Sequence, residues 1–116
     1  PLAVSVANHS PLMAPAAAHF ARLLDDLPLR DARVPLVANG NARPITAAAE
    51  IRAELRHHMT SPVRWTESVT FMAAHGVNTF WELGPGQVLT AMIKRGSKEA
   101  LAVAISSLAS IVATAG

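Results

Sequence analysis

The sequence predicts an α/β fold with a mainly parallel sheet, and three observations carry that reading. Short β-branched runs alternate with longer segments in which apolar residues recur every three or four positions, so strands and helices alternate along the chain. Residues 77–95 read as strand, glycine turn and helix in immediate succession. Ser-Pro pairs and single glycines fall where the helical segments begin and end.

Taken in order, residues 2–6 have the β-branched content and rough alternation of a strand, which Asn8-His9-Ser10 breaks, so His9 stands just past a strand end. Ser10-Pro11 reads as an N-cap followed by proline at the first helical position, where its missing N–H costs nothing. Leu12, Ala16, Phe20, Leu23, Leu24 and Leu27 then form one apolar helical face ending near Leu27-Pro28. Residues 34–38 form a second strand, with Pro35 placing it at an edge or a start, and Asn39-Gly40-Asn41 is a turn. Thr46 caps a helix that buries Ala48, Ile51, Leu55 and Met59 and turns Glu50, Arg52, Glu54 and Arg56 to water. Ser61-Pro62 opens another capped helix, with Trp65, Val69 and Met72 inward and Gly76 as its left-handed stop. Residues 77–83 are a strand, Gly84-Pro85-Gly86 a tight turn, and residues 87–95 a helix closed by Gly96 and Lys98. Residues 101–105 are a last strand, and Ser106-Ser107 caps a small terminal helix.

Composition narrows the function. With 51% hydrophobic and 16% charged residues in 116, there is material for one packed core. A formal charge of +2, with basic residues scattered from Arg22 to Lys98, argues against a nucleic-acid surface. The absence of cysteine removes disulfides, thiolate nucleophiles and cysteine-ligated zinc. The longest apolar runs are too short to span a bilayer, and the first residues lack the basic start and apolar length of a signal peptide. A chain that starts at Pro1 is expected to be cut from a longer protein, with the cytoplasm as its default compartment.

Of the five histidines, His9 has the placement that catalysis favours, since reactive groups of open α/β sheets collect at strand C-terminal ends. On its residues alone it reads more readily as a loop histidine bonded to nearby backbone than as a catalytic one. His19 lies on a polar helix side, while His57, His58 and His75 sit at helix C-terminal ends, where positive charge is favoured. His57 and His58 point about 100° apart and cannot share one metal, and no ligand spacing suggests a metal site. No G-x-S-x-G elbow exposes a nucleophilic serine, and Ser10 is better read as a cap. Gly84-Pro85-Gly86 lacks the third glycine and the ribose-binding acid of a dinucleotide loop, so no bound cofactor is expected.

Read together, Val4-Ser5-Val6-Ala7-Asn8-His9-Ser10-Pro11-Leu12-Met13, the strand at 34–39, Ser61-Pro62-Val63-Arg64-Trp65 and Glu82-Leu83-Gly84-Pro85-Gly86 with Val88-Leu89-Thr90 resemble the C-terminal part of malonyl-CoA:acyl carrier protein transacylases. The motifs fall in that family's order and cover the chain to about Arg95. The resemblance implies the C-terminal part of a hydrolase-like acyltransferase large subdomain, its mainly parallel sheet incomplete in this chain. Residues 1–9 would be the strand and catalytic-histidine loop, 10–96 the helices and strands of that subdomain, and 97–116 a less specific strand and helix. It aligns His9 with the family's catalytic histidine, general base and acid for an acyl-serine intermediate. It places at His58 the backbone carbonyl that orients this imidazole, where the family usually has glutamine.

The same resemblance implies malonyl-CoA and acyl carrier protein as partners, with a CoA thioester and a phosphopantetheine thiol as substrates. The serine elbow, the oxyanion-hole glutamine loop and the malonyl-pairing arginine would come from an N-terminal remainder of the same enzyme, so this chain alone is expected to be inactive. No substrate-binding residue can be carried over, and Asn8 matches neither residue common before the histidine in related polyketide acyltransferases. A polyketide-synthase acyltransferase domain, the malonyl-transferring subunit of malonate decarboxylase and a non-catalytic binding module are the alternatives.

Overall fold

A computed structural model of the chain describes residues 6–97, 99–107 and 111. The strand expected at 2–6 and the terminal helix after Ser107 therefore lie outside the described residues, apart from Val6, which is in a bend, and Ile111, which is helical. So does Lys98. The chain forms two compact units, Pro1–Ser68 and Val69–Gly116.

In the first unit, a single 3-10 turn at Pro11–Met13 runs into helix α1 (Ala14–Asp26). Ser10 does not cap it. Its hydroxyl donates instead to the Ala7 carbonyl at 2.7 Å, tying down the loop that carries His9. The buried stripe of α1 is Ala17 and Leu24 with half-buried Phe20 between them, while Leu12, Leu23 and Leu27 stay exposed. The expected face was thus too wide, because α2 covers only a narrow stripe of α1. Leu27 leaves the helix in an extended conformation, as the following proline requires.

Strand β1 (Leu36–Val37) pairs antiparallel with β2 (Pro44–Ile45), a partner the sequence did not signal because proline normally marks an interruption. Helix α2 (Ala48–His58) is preceded by extended Ala47, and Thr46 is not its cap. The Ala48 amide donates to Asp31 Oδ1 at 2.8 Å, so a carboxylate from the preceding loop satisfies the helix start. Three side chains expected to face water are instead half-buried and bonded. Arg52 donates to the Leu27 carbonyl at 2.8 Å, Arg56 pairs with Asp25 on α1, and Glu54 accepts from the turn after β1. Long polar side chains reach across α2 and lay their stems along its neighbours.

Helix α3 (Trp65–Ala74) starts later than the Ser61-Pro62 signal, and the unit boundary falls within it. Val69 is buried, with Trp65 and Met72 half-buried. Its end is the stop expected at Gly76: φ is +88°, and the amides of Gly76 and Val77 reach back to the carbonyls of Ala73 and Met72, both at 3.1 Å.

In the second unit, β3 (Thr79–Leu83) and β4 (Leu101–Ile105) pair in parallel, Thr79 opposite Leu101 through Leu83 opposite Ile105. Helix α4 (Val88–Gly96) is the crossover between them. Gly84 and Gly86 have φ of +135° and +98°, which lets the chain turn from strand to helix in four residues. Ala102, Ile105, Thr90 and Ile93 are buried, whereas Trp81, Leu83 and Leu101 remain exposed on the sheet. The α/β class with a parallel sheet holds, with the β1–β2 hairpin as an antiparallel addition. Among the described residues, no helix is long and apolar enough to cross a membrane.

Candidate functional site

His9 has φ of +62°, a left-handed backbone conformation uncommon for a residue with a side chain. Such a conformation costs about 1 kcal/mol and persists where surrounding contacts fix it. Two contacts do so here: the Ser10 hydroxyl on the Ala7 carbonyl, and His9 Nδ1 at 3.0 Å from the His58 carbonyl.

That carbonyl is available for a local reason. It belongs to the last residue of α2, and the amide that a continuing helix would offer it, four residues on, is missing because position 62 is proline. The amides of Thr60 and Ser61 and the Thr60 hydroxyl all go to the His57 carbonyl, at 3.1, 3.0 and 3.2 Å. A carbonyl oxygen only accepts, so His9 Nδ1 carries the proton and Nε2 keeps its lone pair.

The end of α2 is held by a second set of contacts. Glu54, one turn before His58, accepts the amides of Asn39 and Gly40 on a single oxygen, Oε1, at 2.8 and 3.1 Å. Asn39 Nδ2 donates to His58 Nδ1 at 3.2 Å, and the Asn39 carbonyl accepts the Arg64 amide at 2.9 Å. The His58 ring stands edge-on to His9, with centroids 5.0 Å apart and planes at 87°. His9 and His58 were singled out from sequence. Asn39 and Glu54 were read as turn and solvent-facing residues, and the only signal for Glu54 was its place four residues before His58 on the same helix face.

His19 and His75 make contacts with residues close by in the sequence. His19 Nδ1 accepts from Arg22 at 3.3 Å, and His75 stacks on Phe71 while its Nδ1 donates to the Phe71 carbonyl at 2.8 Å. Among the described residues, no three His, Asp or Glu side chains group as metal ligands.

At the glycine turn of the second unit a carboxylate stands at the helix start. Glu82 occupies the N-terminus of α4, accepting the amides of Leu89 at 3.0 Å and Thr90 at 2.7 Å. An anion there would face a carboxylate. The Thr90 hydroxyl, close by though outside strict hydrogen-bond geometry, and the Thr90, Leu89 and Val88 amides hold the Glu82 carboxyl below its ordinary value of 4.5, outweighing desolvation, which acts the other way.

No family model matches the chain. It is 41% identical over 106 residues to the malonyl CoA-acyl carrier protein transacylase of Bacillus subtilis (strain 168), covering 91% of this chain and 33% of that protein. It is 45% identical over 95 residues to the transacylase of the same name from Salmonella typhimurium, covering 82% of this chain and 31% of that protein. Among solved structures, an acyl carrier protein S-malonyltransferase from Vibrio cholerae is similar with a TM-score of 0.90 and 40% identity, over 98% of this chain and 37% of that one. A malonyl-transacylase solved in complex with a type II PKS acyl-carrier protein is similar with a TM-score of 0.88 and 39% identity, over 97% and 36%. The chain thus spans about a third of the length of the curated relatives it matches.

Proposed function

We propose that this chain, a homologue of a C-terminal portion of the malonyl-CoA:acyl carrier protein transacylases, is the histidine-bearing part of such an enzyme, with His9 as its general base and acid. The observation that carries the reading is His9 Nδ1 donated to the His58 carbonyl, which leaves Nε2 as a base of fixed direction. In this reading residues 1–9 bring in the histidine, 10–96 build the subdomain that holds it, and 97–116 close that subdomain. The nucleophilic serine, the oxyanion-hole donors and the arginine for the malonyl carboxylate belong to a preceding portion of the enzyme.

The chemistry follows from the tautomer. His9 Nε2 takes the serine hydroxyl proton as the serine oxygen attacks the malonyl thioester carbonyl, and the resulting imidazolium is stabilised by the carbonyl at the helix end. Nε2–H then protonates the departing CoA thiolate, leaving malonyl-serine. In the second half, Nε2 takes the proton of the phosphopantetheine thiol of the carrier protein, the thiolate attacks the acyl-serine, and the proton returns to the serine oxygen. No bound cofactor takes part in these steps, and the chain without its serine-bearing portion does not complete either half. Carriers of both fatty-acid and polyketide type fit, the latter favoured as a second reading by the similar transacylase bound to a type II PKS carrier. The compartment proposed is the cytoplasm, where carrier-protein chemistry runs.

The test is malonyl transfer to carrier protein by the full-length enzyme. His9→Ala lowers kcat/KM by about 10²- to 10⁴-fold, the range of a positioned acid–base group, while the protein keeps its folded circular-dichroism spectrum. Transfer unchanged by the substitution overturns the reading.

A further inference from the structure

Two imidazoles whose centroids lie 5.0 Å apart compete for a proton, so a histidine base beside a second histidine needs a reason why the neighbour stays neutral. The structure provides one. Asn39 Nδ2 lies 3.2 Å from His58 Nδ1, and an amide NH₂ group can only donate. His58 Nδ1 is therefore an acceptor with a lone pair, and the ring's proton sits on Nε2. Protonating Nδ1 would set two N–H groups against each other.

We infer that Asn39 is a positioning residue that holds the His58 imidazole as a neutral Nε2–H tautomer edge-on to His9, so that proton uptake at this site falls to His9 alone. The inference rests on the reading of His9 as the transacylase base. Asn39 can serve in this way because its own backbone is clamped at both ends, its amide by Glu54 Oε1 at 2.8 Å and its carbonyl by the Arg64 amide at 2.9 Å. The charged and titratable groups on the His9 loop, the turn after β1, α2 and the loop that follows it are His9, Arg43, Glu50, Arg52, Glu54, Arg56, His57, His58 and Arg64, of which Arg52 is taken by the Leu27 carbonyl and Arg56 by Asp25. Glu54 is engaged by two backbone amides and Arg64 by Glu67, with Nε to Oε1 at 2.7 Å, which leaves His9 and His58 as the ring pair in contact.

The direct measurement is the two-bond ¹H–¹⁵N correlation spectrum of the full-length protein labelled with ¹⁵N-histidine, His58 being assigned with H58Q. His58 Nδ1 is expected to be unprotonated and Nε2 protonated through the pH range of transfer activity. A protonated Nδ1, which would mean the Asn39 amide is turned over, overturns the inference without touching the His9 reading. The second measurement is the pH profile of kcat/KM. Asn39→Ala frees His58 to take a proton, and a charge placed 5.0 Å from the His9 ring displaces the acid limb to lower pH and broadens it. Adding H58Q, which puts a non-titrating side chain there, restores the limb. An Asn39→Ala enzyme with an unmoved limb, or one that H58Q does not restore, shows a merely structural asparagine and overturns the inference. If His9→Ala leaves transfer unchanged, it is the functional reading that fails, and the tautomer result still stands by itself.

Discussion

Removing the Glu54 carboxylate should loosen the turn after β1 in a graded way that depends on which atom is lost. Both the Asn39 and Gly40 amides donate to Oε1, at 2.8 and 3.1 Å. A hydrogen bond to a charged group contributes about 1.5–3 kcal/mol where it is buried, and Glu54 is half-buried, so water recovers roughly half of that. Glu54→Ala is then expected to cost about 2 kcal/mol over the two bonds, a loss of about 30-fold in the hydrogen-exchange protection of those two amides. Glu54→Gln keeps an oxygen at the same reach and can accept both donors, losing only the charge, so its cost is about 1 kcal/mol, or about fivefold. Glu54→Asp keeps the charge but is one methylene short, and behaves like alanine. Native-state exchange followed by NMR on the full-length protein reads all three. Protection within twofold of the unmodified protein in Glu54→Ala, or aspartate outperforming glutamine, refutes the argument from a single shared oxygen.

Other outcomes are as specific. Asp31→Ala removes the acceptor for the Ala48 amide and should lower stability by about 1 kcal/mol, whereas Thr46→Ala stays within about 0.5 kcal/mol, both read from thermal unfolding. An added Cβ at Gly76 would meet nothing within 4 Å, so Gly76→Ala should cost only the backbone strain at φ +88°, about 1 kcal/mol, with Gly76→Asn costing less. Because the folded Glu82 carboxyl lies below its ordinary 4.5, its contribution is present above that value and fades as pH falls through the lower folded value. Glu82→Gln should therefore flatten the pH dependence of unfolding in that acidic window, and a slope equal to that of the unmodified protein would count against the cap.

The elements legible in the sequence were those whose causes are local. Strand β4 falls on the residues expected, α4 starts one residue late, and Gly76 stops α3 with the predicted backbone, because turn glycines and apolar periodicity act within a few positions. What failed was long-range. Thr46 precedes α2 and has the right chemistry for a cap, yet Asp31, seventeen residues before Ala48, takes the amide. Arg52 and Arg56 have the spacing of a solvated face but meet the end of α1, a partner that helical periodicity cannot name. At the site, resemblance singled out His9 and His58, and the fold brings them within 3.0 Å. Asn39 and Glu54 escaped notice because a turn asparagine and a helix-surface glutamate look alike whether or not they brace something.

The sheet face left open in the second unit has a spectroscopic consequence. The chain has two tryptophans and no tyrosine, so its near-ultraviolet emission is that of Trp65 and Trp81 alone. Trp81 lies on that open face and is 57% exposed, while Trp65 is half-buried at the start of α3. Iodide should therefore quench the Trp81 share of the light first, and anything that settles over Trp81, Leu83 and Leu101 would shift the emission to the blue and shelter it from the quencher. The protein carries its own dye at that surface, and Trp81→Phe would switch it off.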